Sequence, residues 1–266
     1  MKENNRLLYK KSYQYLLSIL PSAISEIELE RYFVGDNSNL YTLEDIFERF
    51  IASTQNYQGM PNFIKFYERK DKIKLLLHNY NLEWISKQSV EDLFEIFCLE
   101  FNVKVTNPNI KFNSWYKWSR SIIDSAKFVL SFKDVEEFKG FVEQFNYNLT
   151  IRTALPLLLS TKISGMGFAL ACDLLKEMGY INYVKPDVHI IDICYELGLS
   201  DSKDQIKNFE TMIKIADDNI EEDVTATPYK IDKIFWLICS GNYYLHNIKS
   251  KGYKKEFISA MKEEIR

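Results

Sequence analysis

Only 9 glycines and 6 prolines punctuate this 266-residue chain, while 46% of its residues are hydrophobic. An all-β fold needs many turns, and glycine and proline are the usual turn formers. The scarcity therefore points to helices, and the spacing of apolar residues agrees. TLEDIFERFIAS repeats its apolar residues at three and four, behind Thr42 and an Asp45 three residues on, the pattern of a capping box. SVEDLFEIFCLEF repeats the device with Ser89 and Asp92. Thr227 and Pro228 open YKIDKIFWLICS in the order of cap, then proline at the first helical position. About a dozen helices are expected, with no alternating strand. The expected fold class is all-α.

Several function classes recede at once. No apolar run reaches the ~18 residues that would suggest a membrane span. The N-terminal segment, with its tyrosines, Lys10 and Lys11, reads as an amphipathic helix rather than a signal peptide. Cys98, Cys172, Cys194 and Cys239 are far apart and lie in apolar stretches, so they read as buried reduced thiols in a cytoplasmic protein. No metal-ligand spacing is present. The net charge of −3 is not that of a dedicated nucleic-acid binder. Any such contact must come from a local patch.

KFNSWYKWSRSIIDSAKFVLSFK is such a patch. Lys111, Lys117, Arg120, Lys127 and Lys133 face one acid, Asp124, and Trp115, Tyr116 and Trp118 interleave with the cations. Cations beside flat rings suit a surface that touches phosphates and stacks on bases. The same composition also fits an ordinary helix with buried tryptophans and solvated lysines.

The segment LLLSTKISGMGFALACDLLKEMG places Gly165 and Gly167 one residue apart between two apolar helical runs. A first helix at Thr153–Leu159, a turn at Ser164–Gly167 and a second helix from Phe168 are expected. Glycines let another backbone come close, and amides at a helix start can converge on an anion such as a phosphate. Downstream, NYVKPDVHIIDICYELGLS sets Lys185 in an extended conformation before Pro186. Asp187 then stands at the N-cap of a helix running over Val188–Leu197 and stopping at Gly198. As a carboxylate it is also free to face a cleft. His189 reads as structural.

Ile163-Ser164-Gly165-Met166-Gly167, with Ala171 and Asp187-Val188-His189-Ile190, resembles the hairpin and aspartate signature of the HhH-GPD DNA glycosylases. The pattern there is roughly L-P-G-V-G-x-x-x-A, a helix, then V-D-T-H-V. FERFIASTQNYQGMPNFIKF and NSWYKWSRSIIDSAKF fall in the order the family expects, so the resemblance covers about residues 42–198. It implies two helical lobes with a cleft between them. One lobe would take 42–186, including the helix-hairpin-helix at about 153–179. The other would take 1–41 and 187–266.

The resemblance also implies roles. Asp187 would stabilise the sugar cation. Ser164, Gly165, Met166, Gly167 and Phe168 would hold the DNA backbone, with a monovalent cation at the hairpin and no other cofactor or metal. Gln55, Asn56 or Tyr57 would fill the gap left by a flipped base. Trp115, Tyr116, Trp118 and Tyr243, with Tyr244 outside them, would line the base pocket. Lys117, Arg120, Lys162 and Lys185 would meet phosphates.

Ala169 stands where strand-cleaving relatives carry a Schiff-base lysine, and the four-cysteine iron–sulfur loop is missing. The implied activity is that of a monofunctional glycosylase acting as a monomer on double-stranded DNA. The target would be a damaged, mispaired or modified base, including a modified base of foreign phage DNA. A non-catalytic hairpin protein that binds DNA is the main alternative. A helical interaction protein with no nucleic-acid role is the other.

Overall fold

A computed structural model describes residues 2–35, 40–106 and 109–265. The described chain is all-α apart from one pair of two-residue strands. It divides into two compact units, one of residues 37–174 and one of residues 1–36 with 175–266. The first boundary falls at 36/37, where the resemblance implies 41/42. The second falls at 174/175 instead of 186/187, within a helix and so without the loop composition that would mark it in sequence. Asp187 belongs to the unit that holds both ends of the chain.

In chain order, α1 (Lys2–Ser18) and α2 (Glu26–Glu30) come first. The other unit then holds α3 (Leu43–Thr54), α4 (Pro61–Ile64), α5 (Phe66–Leu76), α6 (Leu82–Ser86) and α7 (Val90–Phe101). It continues with α8 (Ser114–Val129), α9 (Val135–Glu143) and α10 (Leu149–Lys162). The chain passes between units inside α11 (Phe168–Glu177). It finishes with α12 (Val188–Glu196), α13 (Gln205–Asn219), α14 (Pro228–Ser240) and α15 (Lys254–Glu264). Strands β1 (Asn242–Tyr243) and β2 (Ile248–Lys249) pair antiparallel between the last two helices.

The caps form where the sequence places them. Thr42 and Asp45 make both bonds of a capping box at α3. Ser89 accepts from the Asp92 amide at α7. Thr227 accepts from Lys230 at α14, which Gly241 ends in the left-handed region. α10 begins four residues earlier than expected, because Asn148 caps it by accepting from the Ile151 amide. Pro156 lies inside that helix and removes one backbone donor from its ladder.

Each unit is organised around one helix. In the 37–174 unit, α8 packs against α3, α6 and α7. Trp118 is fully buried there and its indole Nε1–H donates to the Ile51 carbonyl at 2.9 Å. Trp115 is buried too, stacked on Phe101 with ring centroids 4.9 Å apart. In the other unit α14 is buried along most of its length and contacts α1, α12, α13 and α15. No described helix is long and apolar enough to cross a membrane.

Trp118→Ala removes a buried indole and one donor to the Ile51 carbonyl, which keeps the Thr54 hydroxyl at 3.2 Å. A loss of about 3–5 kcal/mol is expected, read as a lower urea midpoint for the full chain.

Candidate nucleic-acid interface

The turn between α10 and α11 is fixed from α8. The Ser164 amide donates to Asp124 Oδ2 at 3.0 Å, and the Ser121 hydroxyl lies 2.5 Å from the Ser164 carbonyl oxygen. Gly165 follows with φ of +81°, a conformation that favours glycine, and a Cβ there would stand 3.2 Å from Ser121 Oγ. Met166 turns its side chain inward and donates its amide to the Ile163 carbonyl at 3.2 Å. Gly167 is different. Its φ is not in the left-handed region, a Cβ would meet nothing within 4 Å, and the residue is exposed.

These facts bear on the expected backbone contacts at Ser164 and Met166. Ser164 and Met166 spend their amides inside the protein and act as positioning residues. The Phe168 side chain is buried. The exposed positions in the turn are Gly165 and Gly167. Helices α3, α7, α8, α10, α12, α13 and α14 each have a side-chain oxygen accepting at their start. Gly167 has no side chain with which to do the same for α11. The first-turn amides of a helix have no intrahelical partner, and they carry the positive end of its dipole.

Beside this turn lies a cavity of about 240 Å³, wholly within the 37–174 unit. Ser164 and Gly165 form one side of it, and Thr54, Tyr57 and Met60 another. Lys111, Tyr116, Lys117, Arg120 and Ser121 complete it. Three cations thus line a space whose lining residues include no carboxylate. The Lys117 ammonium lies 5.7 Å from the centroid of the Tyr57 ring. The Tyr116 hydroxyl donates to Glu91 Oε1 at 2.6 Å, and this bond raises its pKa while lowering that of Glu91.

Tyr57, Tyr116, Lys117, Arg120, Ser164 and Gly165 were each expected at a nucleic-acid site, and they meet here. Others do not. Gln55 is 3% exposed and its Oε1 accepts from the Phe66 amide at 3.0 Å, so it joins α3 to α5 rather than standing ready as a wedge. Asn56, next to it, is exposed. Trp115 and Trp118 belong to the core. Tyr243 is fully buried in the other unit, edge-on to Tyr32, and burial pushes its hydroxyl up to about 12. Tyr244 is partly exposed, with its hydroxyl 3.4 Å from Lys233 Nζ. Lys162 is exposed beside Lys127 on a separate groove floored by Phe128 and Phe141.

Asp187 caps α12 as expected. Its Oδ1 accepts from the amides of His189 at 2.8 Å and Ile190 at 3.2 Å. The carboxylate is half-buried, and these bonds engage one oxygen of the two. The segment before it is held by Asp232, a buried carboxylate on α14. Asp232 Oδ2 accepts from the Lys185 amide at 3.1 Å and from Lys176 Nζ at 2.8 Å. Lys254 Nζ lies 2.5 Å from Asp192 Oδ2 and 3.5 Å from the Val188 carbonyl, tying the first turn of α12 to α15. Sequence reasoning missed Ser121, Asp124, Asp232 and Lys254 as positioning residues. Each acts on a partner at least 40 residues away, or on a backbone atom, and neither leaves a local signal.

No family model matches this chain, and no curated protein matches it. A solved structure similar to it is the 8-oxoguanine glycosylase/lyase of Methanocaldococcus jannaschii, in complex with a 15mer DNA containing 8-oxoguanine. The likeness has a TM-score of 0.47 and 19% sequence identity, over 80% of this chain and 91% of that one.

The two glycines are expected to separate in a stability assay. Gly165→Ala forces a side chain into the left-handed region and should cost about 1 kcal/mol or more. Gly167→Ala should stay within about 0.5 kcal/mol of the parent chain. Urea titration of the two variants checks the difference.

Proposed function

We propose that this chain is a DNA glycosylase that hydrolyses the bond between a base and its deoxyribose. The observation that carries the reading is the cavity at the hairpin foot. There Lys111, Lys117 and Arg120 converge on Gly165 with no carboxylate in the lining. Gly167 supports it, since nothing inside the protein requires a glycine at that exposed position. Without a side chain there, a backbone can approach the start of α11 closely from outside. A phosphate of a nucleic-acid strand supplies both the close approach and the negative charge. Such contacts hold a strand without reading its sequence.

Asp187 is the carboxylate assigned to the chemistry. A base must leave the stack before its sugar is accessible. As the glycosidic bond breaks, the base departs with the bonding electron pair and positive charge builds on the sugar. A carboxylate stabilises that charge and aligns or deprotonates the attacking water. The product is an abasic site and a free base. The oxygen of Asp187 left over from capping is the one available for this. Ala169 carries no amine, so that position cannot form a Schiff base and the reaction is read as hydrolysis alone. A monovalent cation at the hairpin fits the same reading. The Ile163 and Ser164 carbonyls each keep a second lone pair beyond the bonds they accept. Tyr57 and Asn56 remain the candidates for the vacated stack, and Tyr116 for the base pocket.

One observation favours a non-catalytic DNA-binding protein instead: the cap alone gives Asp187 a structural job. Asp187→Asn separates the two, because asparagine caps a helix about as well as aspartate. The variant should keep fold and duplex affinity and lose abasic-site formation. The assay is single-turnover cleavage of lesion-bearing duplexes after alkaline treatment. Full excision by the variant would overturn the assignment.

Gly167→Glu places a carboxylate where the phosphate is read to lie. Duplex affinity should fall at least tenfold in a mobility-shift titration, and borohydride should trap no protein–DNA adduct with the parent chain.

A further inference from the structure

The cationic cavity has an aromatic neighbour outside its lining, Phe112. Phe112 is 65% exposed and lies two residues before the start of α8, next to Lys111 in the chain. Its ring centroid lies 6.0 Å from the Lys117 ammonium, which also stands over Tyr57. The backbone that displays it is fixed. Phe112 closes a single 3-10 turn by donating its amide to the Asn109 carbonyl at 3.1 Å. Asn113 donates to the Ile110 carbonyl at 2.9 Å and caps α8 by accepting from the Trp115 amide at 2.8 Å.

An exposed phenylalanine gains nothing from burial where it stands. Set beside Lys117 of a three-cation cavity, it matches what a nucleotide offers, a flat ring and a phosphate a short distance apart. We infer that Phe112 is a base-stacking residue. It would cover an unpaired base of the nucleotide whose phosphate enters the cavity among Lys111, Lys117 and Arg120. The ligand class is thus an unstacked nucleotide within a DNA strand rather than a fully paired duplex. This inference rests on the reading of the cavity as a nucleic-acid site.

The test uses the full chain and two labelled duplexes, one fully paired and one carrying a single unpaired 2-aminopurine. The parent chain should bind the second more tightly and quench its fluorescence. Phe112→Ala should lose the quenching and bind that duplex about tenfold more weakly, with an unchanged salt dependence. Phe112→Trp should restore both. Lys117→Gln should weaken binding to both duplexes and lower the salt slope by about one. The inference is overturned if Phe112→Ala binds and quenches like the parent. It is equally overturned if that variant lowers the salt slope as Lys117→Gln does, since the ring would then serve only to hold the lysine. Failure of the parent chain to bind either duplex would remove the nucleic-acid reading itself, and this inference with it.

Discussion

Both backbone groups of Ser164 are held by one face of α8. Asp124 takes its amide, and the Ser121 hydroxyl takes its carbonyl. Lys117, Arg120, Ser121 and Asp124 are spaced three, one and three apart, which places them on a single stripe of the helix. The hairpin turn and two of the cavity's three cations, Lys117 and Arg120, are therefore set by the same helix. The opposite stripe holds Trp115, Trp118, Ile122 and Val129, all buried. Burial of that stripe fixes the rotation of α8. Rotation of α8 in turn fixes where the cations stand relative to Gly165. A loop carrying the same lysines would not hold that register.

Asp232 has the corresponding role in the other unit. A buried carboxylate is costly unless it is paired, and losing one partner of such a pair costs more than the pair itself contributes. Here the carboxylate binds both a lysine ammonium and the amide of Lys185, two residues before Asp187. Pro186 sits in the tight turn between them, closed by the Asp187 amide donating to the Lys185 carbonyl at 2.8 Å. Asp187 thus enters α12 from a strut anchored to the most buried helix of its unit. Lys254 grips the first turn of α12 from the other direction.

Much of this was legible in the sequence, and the limits have physical causes. The caps at Thr42, Ser89, Asp187 and Thr227 are local, because donor and acceptor lie two or three residues apart. The hairpin was legible for the same reason. The aromatic–basic stretch separates in space, its tryptophans going to the core. Interleaving in sequence is not interleaving in space, and helical period sends Trp115 and Trp118 to the face opposite Lys117 and Arg120. Gln55 was misplaced because an amide side chain that ends a helix can satisfy a distant backbone donor, here Phe66, as readily as it can face solvent. The boundary between units was invisible because it falls within α11, where composition does not change.

The mild acidity of the chain is compatible with a basic site, and the structure shows how. At one end of the 1–36 and 175–266 unit, Glu221 and Glu222 pair with Lys2 and Arg6, and Asp223 accepts from Tyr9 and lies 4.0 Å from Lys230 Nζ. Acids there are consumed by partners of their own unit. Around the cavity the arrangement is reversed. Asp124 spends its charge on the Ser164 amide, and Glu91 is bonded to the Tyr116 hydroxyl. The nearby carboxylates are thus occupied in holding the site together, and the three cations line its open space, Arg120 also bonded to Tyr116. Charge interactions fall off within about 10 Å in ordinary salt. What a passing phosphate meets is that local arrangement rather than the net charge of −3.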